Sequence, residues 1–148
     1  MAYYDLPKSE RNKLPVLIGS GILHDLEKGT VMNTLKYFSD PDTYIRKAAY
    51  IQTGKIYSKY REKRMELIDT LEELLGSDDF KVRQTAINAA GEIGKKDFSA
   101  IEKIMITGMS DKHHSPRNAV IGSLKKMGDV NPEPVIRFSK KYINHPDK

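Results

Sequence analysis

A chain of 148 residues, 39% hydrophobic and 30% charged, has the size of one domain and enough apolar content for a core. It contains no cysteine, which excludes disulfides, thiolate metal sites and cysteine nucleophiles. The formal charge of +5 is uneven: residues 1–111 carry 17 basic against 17 acidic side chains and residues 112–148 carry 8 against 3, a bias that favours polyanions. No apolar run approaches the ~20 residues of a membrane span, and the start of the chain lacks the basic and apolar regions of a signal peptide. A cytoplasmic location is the default expectation.

Residues 1–14 are polar and punctuated by Pro7 and Pro15, which predicts an irregular arm. From Leu14 to Leu26 the spacing is helical but interrupted by Gly19 and Gly21, so the expectation for 1–28 is an N-terminal arm with a short or broken helix. Between Gly29 and Phe38, Val31, Met32, Leu35 and Phe38 share one helical face. Ser39-Asp-Pro-Asp42 supplies a turn and an N-cap for a helix from about Thr43 to Tyr57. Arg61 to Leu75 is strongly helical, with Met65, Leu67, Ile68, Leu71, Leu74 and Leu75 expected to face inward. Ser77, Asp78 and Asp79 then cap a helix from Phe80 to Ile93. A third pair is predicted over Phe98–Met109 and about Ser115–Met127, with Pro116 in the first turn, followed by a lone helix over Pro132–Asn144. No segment alternates with period two, so no sheet is predicted.

The turns repeat. Arg46, Arg83 and Arg117 are 37 and 34 residues apart, each after a Ser-Asp turn and before small residues. A period of this length indicates stacked supersecondary units. The runs Asp40-Pro-Asp-Thr-Tyr-Ile-Arg46 and Asp78-Asp-Phe-Lys-Val-Arg83, the latter continuing to Ala89-Ala-Gly-Glu-Ile-Gly94, resemble HEAT repeats over about residues 29–148. The resemblance implies an all-α superhelix, an α-solenoid of stacked helix pairs, with repeats at about 29–58, 61–94, 97–128 and an incomplete one at 132–148. It further implies that the second helix of each pair lines the concave side, and that the arginines and turn aspartates (Asp40, Asp42, Asp78, Asp79 and Asp111) bond locally. The basic bias is similar to that of the alkylpurine DNA glycosylases built from such repeats. Those need an aspartate beside tryptophans, and this chain has no tryptophan.

Helical periodicity divides the second helices into two arcs. Ile45, Ala49, Gln52, Thr53 and Ile56, with Val82, Ala86, Ala89, Ala90 and Ile93, and Pro116, Val120, Ser123, Leu124 and Met127, are expected to be buried. The opposite arc holds Lys47, Lys55, Gln84, Asn88, Lys95, Asn118, Lys125 and Lys126, with Gly54, Gly91 and Gly122 among them. Lysines and amides along a groove suit phosphate oxygens, and the glycines would admit a close backbone. Tyr44, Tyr50, Tyr57 and Tyr60 either stack bases or fill gaps between repeats.

Catalytic and cofactor motifs are weak. His113-His114 stands far in sequence from His24 and His145, and no phosphate loop or serine elbow occurs, so no metal and no cofactor is expected. The reading is a binding scaffold whose moderately basic concave surface contacts DNA or an extended protein segment; a DNA glycosylase for alkylated bases is the enzymatic alternative. The final His145-Pro-Asp-Lys148 matches the turn at Asp40, so further repeats or a partner are expected to cover the helix at 132–144.

Overall fold

Three turns carry one side-chain device. In the first, the Asp40 carboxylate accepts the Asp42 N–H at 2.8 Å, Asp42 accepts the Tyr44 N–H at 2.8 Å, and Arg46 donates back to the Asp40 carbonyl. In the second, Ser77 Oγ accepts the Asp79 N–H at 3.1 Å, Asp79 accepts the Lys81 N–H at 2.9 Å, and Arg83 donates to the Ser77 carbonyl at 2.8 Å. In the third, Asp111 accepts the His113 N–H at 2.9 Å, His113 Nδ1 accepts the Ser115 N–H at 3.0 Å, and Arg117 donates to the Asp111 carbonyl at 2.7 Å. Each capping atom satisfies an N–H that the first helical turn leaves without a partner. The arginine six residues after each turn closes it, so the three arginines are structural, as the repeat reading expected.

These turns start three helices of a row. The computed structural model describes residues 3–143, with α1 at Lys8–Lys28, α2 at Met32–Phe38, α3 at Thr43–Lys59 and α4 at Arg64–Leu74. The remainder are α5 at Phe80–Gly94, α6 at Phe98–Met109, α7 at His114–Val130 and α8 at Pro132–Tyr142; single 3-10 turns occupy Tyr3–Asp5 and Arg61–Lys63. No strand occurs among the described residues. In the first layer α1, α3, α5 and α7 pack side by side; behind it α2 rests on α1 and α3, α4 on α5, α6 on α5 and α7, and α8 on α7. The result is an all-α solenoid of stacked helix pairs. The final His145-Pro-Asp-Lys148 turn lies outside the described residues.

The arc expected inside is inside. Ile45, Ala49, Thr53 and Ile56 on α3, Val82, Ala86, Ala89, Ala90 and Ile93 on α5, and Pro116, Val120, Ser123, Leu124 and Met127 on α7 are buried, with Gln52 half-buried. Alanines on α5 let it lie close to α3 and α7, because interaxial distance follows side-chain size at the contact. Every neighbour therefore reaches α5, and Arg83, Thr85 and Gly91 are buried with its apolar residues.

Three expectations are corrected. Residues 8–28 form one continuous helix, α1, rather than an arm and a broken helix. Pro15 removes the hydrogen bond to the Arg11 carbonyl, yet Ile18, Ile22 and Leu26 are buried on the array, and that packing carries the helix through. Gly19 and Gly21 are contacts: a Cβ at Gly19 would sit 2.7 Å from Gln52 Oε1 on α3, and one at Gly21 would sit 3.1 Å from the Tyr37 ring on α2. The glycine that ends α1 is Gly29, at φ 68°, in the left-handed region. Residues 8–28 thus join the array, with α1 as first member of the row.

Met65 points outward at 81% exposure, because the inward stripe of α4 is Leu67, Leu71 and Leu74. On α8, Val135 and Phe138 are buried by the same chain, and Phe138 meets Phe98 edge-to-face at 5.6 Å, while Ile136 is exposed. Finally, the cap of α5 is Asp79 and not Asp78, since only Asp79 accepts the Lys81 N–H. Asp25, without a signal in the sequence, is a buried α1 carboxylate that accepts the Thr34 N–H at 2.7 Å, the Thr34 hydroxyl at 2.8 Å and the Asn33 amide at 3.2 Å. It caps α2, whose own N-cap position, Val31, has no side-chain acceptor.

Candidate functional site

The exposed face of the row formed by α1, α3, α5 and α7 carries the eight residues singled out in the sequence, and it treats them unequally. Lys47, Lys55, Asn118, Lys125 and Lys126 are exposed, whereas Gln84 and Asn88 on α5 and Lys95 at its C-cap are half-buried. The α5 stripe is roofed by its neighbours: Lys126 of α7 places Nζ 5.4 Å from the centre of the Tyr50 ring on α3, so side chains from the two flanking helices meet over α5. Asn88 Oδ1 receives the Ser123 hydroxyl at 3.5 Å. Lys95 is paired with Glu92 at 3.1 Å, which removes most of its net charge from the face.

Two of the three glycines expected to admit a ligand are occupied by the fold. A Cβ at Gly54 would lie 2.7 Å from Glu92 Cβ, and one at Gly91 would lie 2.7 Å from Ser123 Cβ, so both bring helices together. Gly122 has nothing within 4 Å. What remains cationic falls into two groups: Lys125 and Lys126 on α7, and Lys47 and Lys55 on α3.

The α3 group lies in a cleft that the sequence reading did not assemble. Tyr3, Tyr4, Pro15, Tyr44, Lys47, Ala48, Ile51, Gln52 and Lys55 line a space of about 340 Å³ where the N-terminal turn and α1 meet α3. The three tyrosines form one cluster: Tyr4 meets Tyr44 edge-to-face at 4.6 Å, Tyr3 meets Tyr4 at 5.0 Å, and Tyr3 is stacked with Tyr44 at 6.0 Å. One carboxylate sets both sides of it. Asp42 accepts the Tyr3 N–H at 2.5 Å through Oδ2 and the Tyr44 N–H at 2.8 Å through Oδ1. The Tyr3 N–H first, with those of Tyr44 and Ile45 and the Arg46 charge against a desolvation cost, holds the Asp42 carboxyl below its ordinary 3.8. Arg11 lies over the Tyr4 ring at 5.2 Å, and its enclosed Nε–H has no acceptor among the described residues.

A second cleft of about 300 Å³ continues along the same two helices, lined by Val16, Gly19, Ser20, Leu23, Gln52, Lys55, Ile56, Lys59 and Tyr60. Gln52 and Lys55 belong to both, so one trough runs along α3 from Tyr44 to Tyr60. Among the described residues, no Asp or Glu lines either part.

The tyrosines singled out in the sequence therefore have different roles. Tyr44 and Tyr60 line the trough, Tyr50 lies under Lys126, and Tyr57 is buried. The Tyr57 hydroxyl donates to Asp97 at 2.5 Å, and burial followed by that carboxylate pushes the phenol up to about 12. Tyr3, Tyr4 and Gln52 join the lining without having been site candidates in the sequence. The adjacent Tyr3-Tyr4 pair was a signal, but its partner is 40 residues away, and only the Asp42 hydrogen bonds show the two ends meeting. No group of three or more His, Asp or Glu placed to hold a metal occurs among the described residues, and no described helix is long and apolar enough to cross a membrane.

A family model of HEAT repeats matches residues 31–102, from just before α2 into α6. No curated protein and no solved structure matches the chain.

Proposed function

We propose that this chain, supported as a HEAT-repeat protein by the match over residues 31–102 and by its all-helical array, is a scaffold that binds an anionic partner, nucleic acid in the first instance, on the face of α1, α3, α5 and α7. One observation carries the reading: the exposed cations without an ion pair among the described residues on that face, Lys47 and Lys55 at one side and Lys125 and Lys126 at the other, flank α5, whose C-cap Lys95 is paired with Glu92. Phosphates are held by such point charges and by neighbouring amides such as Asn118, without sequence preference.

Binding without excision is favoured over a glycosylase. Two acids bonded to these tyrosines serve the fold: Asp42 caps α3 and Asp97 accepts the Tyr57 hydroxyl. Base excision at the tyrosine cluster would need a free acid there, and among the described residues none lines the cleft.

The test is a titration of labelled DNA at two salt concentrations. Affinity should fall steeply with salt, as counterion release requires. The double variant Lys125→Glu, Lys126→Glu should weaken binding about tenfold or more at low salt. Salt-independent binding, or a double variant that binds as well as the parent, would overturn the reading.

A further inference from the structure

We propose that the trough between α1 and α3 is a site for single-stranded nucleic acid, in which a base stacks on the Tyr4–Tyr44 cluster and the adjoining phosphates lie on Lys47 and Lys55. The proposal rests on the anionic-partner reading above and adds the strand state of the partner and the residues that recognise it.

Four observations converge on this. Tyr4 is 59% exposed and Tyr44 48% exposed, although each packs against another ring, so ring surface is left open at the mouth of the cleft. The cluster is preorganised by Asp42, which holds both Tyr3 and Tyr44 by their backbone, so ordering the rings costs little at binding. Lys47, Lys55 and Lys59 follow at eight and four residues along one helix, about 12 and 6 Å apart along its axis. That makes a line of positive charge leading away from the rings. Gln52, shared by both parts of the trough, offers an amide donor and acceptor at the level where a base edge would pass.

An acidic peptide would use the lysines but leave the flat rings unused. A duplex would meet the lysines but could not present a base face to tyrosines inside a cleft. Combined stacking and backbone attraction is the pattern of single-strand recognition.

The experiment follows tyrosine emission, which is informative because the chain has eight tyrosines and no tryptophan. A short oligothymidylate should quench it and bind more tightly than the duplex it forms with oligoadenylate. Tyr44→Ala should lose about fivefold or more of single-strand affinity and most of the quench, with duplex affinity unchanged, whereas Tyr44→Phe should retain both. Tyr4→Ala, at the more exposed ring, serves as a second variant should Tyr44→Ala unfold, as judged by its circular dichroism melt. If the Tyr44→Ala and Tyr4→Ala variants bind oligothymidylate like the parent, the trough proposal fails. Polyglutamate competing as well as oligothymidylate would likewise overturn it, in favour of an acidic protein segment. In either case the broader reading survives if Lys125→Glu, Lys126→Glu still weakens anion binding, and falls with it if no polyanion binds at all.

Discussion

Arg83 of α5 grips Asp111, in the turn before α7, through hydrogen bonds at 2.8 and 3.2 Å, with side-chain exposures of only 7% and 9%. The same guanidinium closes its own turn on Ser77, so one side chain ties two repeats together. Arg83→Ala leaves Asp111 buried without its cation and should cost about 3–5 kcal/mol in chemical denaturation. Adding Asp111→Leu should recover part of that loss. Arg117→Ala, which removes an exposed single hydrogen bond, should cost about 1 kcal/mol. Equal losses from Arg83→Ala and Arg117→Ala would contradict the inter-repeat role.

The pair also sets the acid limb of stability. Burial pushes the Asp111 carboxyl up, but Arg83 and the His113 N–H outweigh it and hold the group below its ordinary 3.8. A carboxyl lowered in the folded state contributes stability that is complete above its unfolded value and lost as pH falls through the folded one. Parent protein should therefore lose stability below about pH 4, and Arg83→Ala should show a shallower acid slope.

His113 gives the third turn a second, milder pH dependence. It occupies the position of Asp42 and Asp79 and caps α7 through Nδ1, a role open only to the neutral ring. It is stacked on Phe80 at 4.0 Å and on His114 at 4.5 Å. Desolvation, then His114 and Arg83 and finally Arg117, push it below its ordinary 6.5, with Asp111 acting in the opposite sense. Protonation removes the acceptor and places a cation at a helix N-terminus. Because the folded value is the lower one, stability is full above about pH 6.5 and declines as pH falls through the folded value. His113→Asp should flatten denaturation midpoints between roughly pH 5 and 7, and a parent protein already flat there would refute the capping role.

Gly91 and Gly122 separate packing from propensity on neighbouring helices. A Cβ at Gly91 would meet Ser123 Oγ at 2.6 Å and Cβ at 2.7 Å, and the Cβ cannot swing away. Gly91→Ala should cost about 1–3 kcal/mol by forcing α5 from α7. At Gly122 nothing lies within 4 Å, so Gly122→Ala should gain up to about 1 kcal/mol of helix propensity. Thermal melts of the two variants should move in opposite directions.

The lysines should likewise divide by their surroundings. Lys95→Ala is expected to change polyanion affinity less than Lys55→Ala, because Glu92 already pairs with Lys95. Glu92→Gln should raise affinity by freeing it. Equal effects at Lys55 and Lys95 in an anisotropy titration would show that local pairing does not govern the face.

Local chemistry made much of the fold readable from the chain itself. The turn, cap and returning arginine lie within six residues of one another, so three copies declare both period and helix starts, and apolar spacing then names the buried arc. Relations between distant residues were not readable. Whether a glycine breaks a helix, as Gly19 and Gly21 suggested, or admits a neighbour depends on what stands opposite, and Gln52 and Tyr37 stand opposite. Whether Asn88 was open depended on α7, whose Ser123 hydroxyl donates to it across 35 residues. The tyrosine cleft depended on a hydrogen bond across 39 residues, from Tyr3 to Asp42. Short-range hydrogen bonds and periodic burial act along the chain and leave a pattern in it; a cleft is made by surfaces that meet only after folding, and only the tertiary structure brings Tyr3, Tyr44 and Lys55 to one place.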